Sequence, residues 1–224
     1  MKRAIDFGLP LLAIAGIVVG EIMGLWIAPA ERHMGDVYRI IYVHVPAAWV
    51  ALLSFLIAAA ASFTFLFKTS WAADALAEAA GELGVLFGTV AYILGAIWGK
   101  GTWGVWWTPD PKLTAMAILV FGFAGYIALR NLTEEPERRA AWSAVVAIIL
   151  AAGIPIVWFA VRWWGGLHQN QSTRDSMNVF MGATLGINVL AFTLLFVWFL
   201  RMRYRVAKAK IDEELSEPPE QELA

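Results

Sequence analysis

Six long apolar runs dominate this sequence and limit what it can fold into. They occupy 8–28, 45–67, 83–99, 113–129, 140–161 and 176–200, and only the first carries a charge, Glu21. A helix crossing the hydrocarbon of a bilayer needs about 20 mostly apolar residues. An open strand in lipid would leave its backbone unpaired, so each run is expected to be a helix. The expected fold is all-α, an integral membrane bundle of six transmembrane helices in one domain over 1–205. Composition agrees, with 60% apolar and 16% charged residues, well shifted from a soluble domain. No cleavage signal follows the first run, so it is expected to stay as a helix. Residues 206–224 are acidic overall and contain Pro218-Pro219, which predicts a disordered tail.

Charge orients the bundle and narrows its partners. The net charge is -1, with nothing basic enough to track phosphates, which argues against nucleic acid; the apolar excess points to a lipid bilayer as the solvent. No cysteine is present, so disulfides and thiolate chemistry are excluded. Of 17 Lys and Arg, 11 flank the ends that include both termini, and six lie in the other three loops. The positive-inside rule therefore predicts cytoplasmic termini. The loops 29–44, 100–112 and 162–175 are then expected to face outward.

Those outward loops concentrate the chemistry. His33, His44 and His168 all fall in them or at their edges, and nine of 12 tryptophans lie near the same face. The densest stretch is Gly101-Thr-Trp-Gly-Val-Trp-Trp-Thr-Pro-Asp-Pro111. Trp103, Trp106 and Trp107 would share one face of a helix at i, i+3 and i+4. Pro109 and Pro111 oppose a long helix there. A short helix or an aromatic shelf parallel to the membrane fits both facts. Such a shelf suits a broad, flat, apolar ligand such as a porphyrin; it equally suits an interfacial tryptophan belt.

Imidazole is the usual ligand of haem iron. His44 and His168 are far apart in sequence yet share a membrane face, which suits a cofactor held between two loops. Alternatively, each is an interfacial hydrogen-bonding residue, and the residues alone leave both readings open. Arg39 and Lys112 stand near enough to pair with carboxylates, Arg as a fork and Lys as a point charge; either could also be ordinary flank charge. Asp110 is expected to cap a turn or orient a donor. Glu21 is read as structural and His33 as a surface residue.

Three separated segments carry a resemblance. Tyr38-Arg-Ile-Ile-Tyr-Val-His-Val-Pro-Ala-Ala-Trp49, Trp103-Gly-Val-Trp-Trp-Thr-Pro-Asp110 and Leu167-His-Gln169 together resemble the tryptophan-rich (WWD-type) haem-handling family. Size and span number resemble its haem exporter C (CcmC) branch, which belongs to bacterial cytochrome c maturation. The resemblance implies a non-enzymatic protein of the bacterial inner membrane that binds haem b transiently and non-covalently at its periplasmic face. His44 and His168 match the two axial histidines, and Trp103, Trp106 and Trp107 match the haem platform. Arg39 matches an arginine five residues before the first histidine, and Asp110 matches the acidic end of the motif. The implied partners are a periplasmic haem chaperone (CcmE), the ABC-type transporter subunits CcmA and CcmB, and a small membrane subunit (CcmD). Two positions depart: Pro109 stands where the family commonly has a last Trp, and Lys112 where it commonly has Arg.

Two other classes are distinguishable. An integral haem-b electron carrier would place its histidines within the spans, which these runs lack. A small transporter would show polar residues at mid-span; Glu21, Asn188 and the 182–186 region are its only traces.

Overall fold

The computed structural model describes residues 2–168 and 177–216. Seven helices form it: α1 Lys2–Ile22, α2 Ile41–Lys68, α3 Trp71–Trp103, α4 Pro111–Leu132, α5 Pro136–Ala151, α6 Gly153–Trp164 and α7 Val179–Ser216. No strand occurs among the described residues. With α5 and α6 counted as one interrupted rod, six helices are long and apolar enough to cross a membrane. The chain is thus an all-α, six-span membrane bundle. Short connections turn each span back, so the loops at 28–40, 104–110 and after α6 gather at one end, here the aromatic end. The turns at 69–70 and 133–135 mark the other, the ion-pair end.

Local chemistry sets the breaks. Pro155 lacks an N–H and its ring clashes with the carbonyl four residues back, here Ala151, so the fifth span divides at Ala152. The α2–α3 turn is two residues long: Thr69 takes a left-handed conformation with φ 50°, and Ser70 caps α3 by accepting from the Ala73 N–H. α1 ends in a π turn over Met23–Ile27 before Pro29.

In lipid, helices gain little from the hydrophobic effect by associating, and close van der Waals packing takes its place. α3 supplies the small residues for this. At Gly84 a Cβ would lie 2.4 Å from the Phe55 ring of α2, and at Gly88 one would lie 2.8 Å from Val120 of α4. Phe55 in turn stacks on Phe123 of α4 with centroids 4.3 Å apart. This α2–α3–α4 core is the rigid frame of the site.

α7 continues beyond the expected span end near Leu200 to Ser216. Its charged part packs: Ala207 and Ile211 are buried with Ala75, and Arg203 grips Glu82 of α3 through two hydrogen bonds of 2.6 and 2.8 Å. Residues 206–216 are therefore helical, where an acidic tail was expected; 217–224 lie outside the described residues.

Candidate functional site

A half-open cavity of about 430 Å³ lies at the aromatic end, within the usual range for small-molecule sites. His44, Trp98, Trp106, Trp107, Lys112 and His168 all line it. Residues from all three loops expected on one side thus meet in one place.

His44 sits in the first turn of α2. Its place is set by a cluster of Ala28, Tyr38, Ile41, Tyr42 and Met181, which anchors the preceding segment. Its Nδ1 lies 2.9 Å from the Ala91 carbonyl of α3. A carbonyl only accepts, so Nδ1 carries the proton and the Nε2 lone pair is left for a ligand. Histidines that bind metal commonly show this second hydrogen bond, which fixes tautomer and ring orientation. Gly95 gives the ring room, because a Cβ there would stand 3.0 Å from His44 Cε1.

His168 follows α6 and sits edge-on to Trp98 and Trp103, with centroids 5.6 and 6.3 Å away. Asp110 holds its loop. Asp110 is 4% exposed. Its Oδ1 accepts from the Lys112 and Leu113 N–H groups at 2.9 and 3.3 Å, capping α4. Its Oδ2 accepts from the Leu167 N–H at 2.9 Å and, at 3.5 Å, from that of His168. One carboxylate thus ties the loop carrying His168 to the helix carrying Lys112. Gly166 makes the approach possible: its φ is +138°, and a Cβ would fall 2.1 Å from Asp110 Oδ2.

The tryptophans do not share a helical face. α3 ends at Trp103, and Gly104, with φ +76°, turns the chain into a loop over 104–110. Trp106 and Trp107 stand on that loop, 60% and 49% exposed. Trp103 packs behind, against Trp98 at 5.3 Å. Trp106 and Trp107 line the cavity from a loop, Trp103 is not among the lining residues, and no short helix forms over 104–110.

Arg39 is absent from the cavity lining. Its guanidinium donates to the carbonyls of Gly24 and Ala28 and to Asp36 Oδ1. It satisfies backbone acceptors left open where α1 ends. Lys112 is thus the only Lys or Arg lining the cavity among the described residues. His33 is exposed, and its N–H donates to Glu31. Glu21 lies on α1, away from the lining, with Oε1 buried and unpartnered among the described residues.

Several lining residues were not singled out from sequence. Trp98 is buried, and its indole N–H has no partner among the described residues. Tyr92, Trp49 and Trp158 extend the walls. Their only sequence signal was membership of a run or a belt. The donor set fits a metalloporphyrin: an imidazole with a free lone pair, a second histidine, flat aromatic walls and one ammonium for an anionic edge.

The family described as CcmC, Heme exporter protein C, matches residues 2–216. The Heme exporter protein C of Escherichia coli strain K12 is 35% identical over 202 residues, covering 88% of this chain and 82% of that protein. That of Haemophilus influenzae is 34% identical over 211 residues, covering 91% and 85%. A "Putative cytochrome c biosynthesis ccmC-like mitochondrial protein" of Marchantia polymorpha is 35% identical over 153 residues, covering 67% of this chain and 63% of its own length.

Proposed function

Because the chain belongs to the haem exporter protein C family, we propose that it binds haem b at its aromatic end and presents it to a partner in cytochrome c-type biogenesis. The observation that carries this reading is the meeting of His44 and His168, distant in sequence, in one apolar cavity with Trp98, Trp106 and Trp107.

His44 offers Nε2 to the iron from a rigid frame, since its other nitrogen is tied to Ala91. His168 would offer a second imidazole to the iron from a loop. Trp106 and Trp107 cover the ring and exclude water. Lys112 pairs with a propionate as a point charge. Asp110 is a positioning residue that keeps the His168 loop against α4. Bound haem carries the redox chemistry, and the protein contributes ligands, orientation and a dry face. No bond of the haem is made or broken on this chain, so the role is handling rather than catalysis.

The two histidines differ in mounting, and this supports a transfer role. His44 stands on a helix and is tied to a second one; His168 stands on a loop that Asp110 holds through backbone N–H groups. A partner that displaces the loop would release one axial ligand and keep the other. The partners that fit are a periplasmic haem chaperone (CcmE), the transporter subunits CcmA and CcmB, and a small membrane subunit (CcmD). The positive-inside count favours the aromatic end on the periplasmic side of a bacterial inner membrane.

The test is an optical spectrum of detergent-purified protein with haem quantified per chain, for wild type, His44→Ala and His168→Ala. His44→Ala should lower haem affinity about 100-fold, or ~2.7 kcal/mol. His168→Ala should retain some haem with an altered axial-ligand spectrum. Unchanged spectra in both variants would sink the assignment.

A further inference from the structure

Resting on the reading of haem as cargo, we propose that it reaches the cavity sideways from the bilayer, through the gap between α6 and α7. Three observations converge on this.

First, the cavity is deep. On α2 its lining runs from Ile41 to Leu52, about 16 Å at 1.5 Å per residue. On α7 it includes Leu185 and Val189, about 9 and 15 Å beyond the start of that helix. On α6 it includes Val157 and Trp158. All these residues belong to segments long and apolar enough to lie in a membrane.

Second, the wall is incomplete at one seam. α2 packs on α3, α3 on α4, and α4 on α6, while α7 packs on α1, α2 and α3. α6 and α7 do not pack along each other, though both line the cavity. Val45, Ala48, Trp49 and Leu52 of α2 line the same cavity. Trp49 of α2 and Trp158 of α6 both line the cavity and remain 38% and 41% exposed. The Trp49 indole N–H donates to Thr193 Oγ1 of α7 at 3.3 Å, which pins it to one side.

Third, the polar groups are segregated. His44, His168 and Lys112 stand at the aromatic end, and the deep walls are Leu52, Met116, Val157 and Val189. A flat ring with carboxylates on one edge lies in a bilayer with that edge at the headgroups and the ring among acyl chains. The cavity offers the same orientation beside it. Lateral passage then needs no turning of the ring and no burial of its charges, which would be costly in hydrocarbon.

The chain has no native cysteine, so the seam can be bridged cleanly. Trp158→Cys and Val189→Cys are combined and joined by a cleavable thiol-reactive linker in proteoliposomes, with haem supplied in the lipid. Val157→Cys replaces Trp158→Cys if the first pair folds poorly. Bridging before loading should slow haem uptake by about tenfold or more, and cleaving the linker should restore it. Bridging after loading should leave the spectrum intact and slow haem loss to empty vesicles. Unchanged uptake by fully bridged protein would overturn the passage. So would loss of the spectrum on bridging loaded protein, because the seam would then be part of the site itself. If wild-type protein takes up no haem, the haem-site reading fails, and the passage falls with it; if wild type loads and the unbridged double-cysteine variant does not, the bridge is moved to Val157→Cys and Val189→Cys.

Discussion

The two ends of the bundle treat their polar groups in opposite ways. At the ion-pair end the buried charge is matched. Arg130 donates to both carboxylate oxygens of Asp74 at 2.7 and 2.8 Å and to Glu78 at 2.6 Å. The side chains of Arg130 and Asp74 are almost fully buried. Arg139 pairs with Glu214, Arg203 with Glu82, and Arg201 with Asp6. Each pair joins different helices. At the aromatic end the pattern reverses. Lys112 forms no ion pair among the described residues, the Trp98 N–H is unpartnered there, and His44 keeps one nitrogen open. One end pairs its buried charges within the fold, although the hydroxyls of Ser62, Tyr126 and Ser143 near it have no hydrogen-bond partner among the described residues; the other leaves an ammonium and an imidazole nitrogen for something brought in. The ion-pair end holds α3, α4 and α7 in register, and this lets the aromatic end stay unsaturated without losing its shape.

That contrast can be broken by mutation. The largest effect is expected for Arg130→Leu, which strands two carboxylates. Removing one partner of a buried pair costs about 3–5 kcal/mol, readable by equilibrium unfolding in detergent or bicelles. Replacing Arg130 and Asp74 together by apolar residues should cost less than Arg130→Leu alone. The protein that remains folded should still bind haem with an unchanged spectrum. A spectrum altered at the far end would show that the two ends are not separable.

Asp110→Ala comes next. It removes the α4 cap and the tether of the His168 loop, for about 1–2 kcal/mol of stability. Unlike Arg130→Leu, it should also shift the axial-ligand spectrum. Loss of stability with an untouched spectrum would reduce Asp110 to a helix cap. Gly95→Ala is expected to be milder, at about 1 kcal/mol or less for a crowded site. Its Cβ would press on His44 Cε1, so haem affinity should fall several-fold while unfolding barely moves. Equal haem affinity would mean that the ring has slack.

The smallest effect concerns Glu31. Backbone N–H groups of Met34 and His33 donate to its carboxylate and hold it below the usual carboxylate range. A depressed folded value stabilises the loop at pH above the ordinary value of about 4.3. The contribution fades as pH falls through the lower folded value. Amide protection at His33 and Met34, taken relative to the intrinsic exchange rate at each pH, should therefore fall on acidification, and Glu31→Gln should abolish that dependence. An ordinary NMR titration midpoint for Glu31 would refute it.

Much of the fold was legible because run length is a direct measure of a membrane span. The break at Ala152 was legible too, since Pro155 was in view; it went unread while the 22 residues of 140–161 counted as one run. The reach of α7 was not legible. Its partners Asp6, Glu82 and Arg139 lie far away in sequence, and without them a charged segment reads as tail. In the site, the side shared by His44 and His168 followed from counting spans. The role of Arg39 did not, because an arginine near a histidine looks the same whether it faces a ligand or caps a helix.

The sequence by itself determined the six spans and the end of the bundle that collects histidine and tryptophan. These follow from composition and from the up-down alternation that short loops impose. Only the tertiary structure decided that the Ala91 carbonyl sets the His44 tautomer, that Asp110 joins two loops, and that Lys112 rather than Arg39 faces the cavity. It also decided that α6 and α7 stand apart. Hydrogen bonds act over about 3 Å, and residues 47 to 58 positions apart come within that reach only when helices pack.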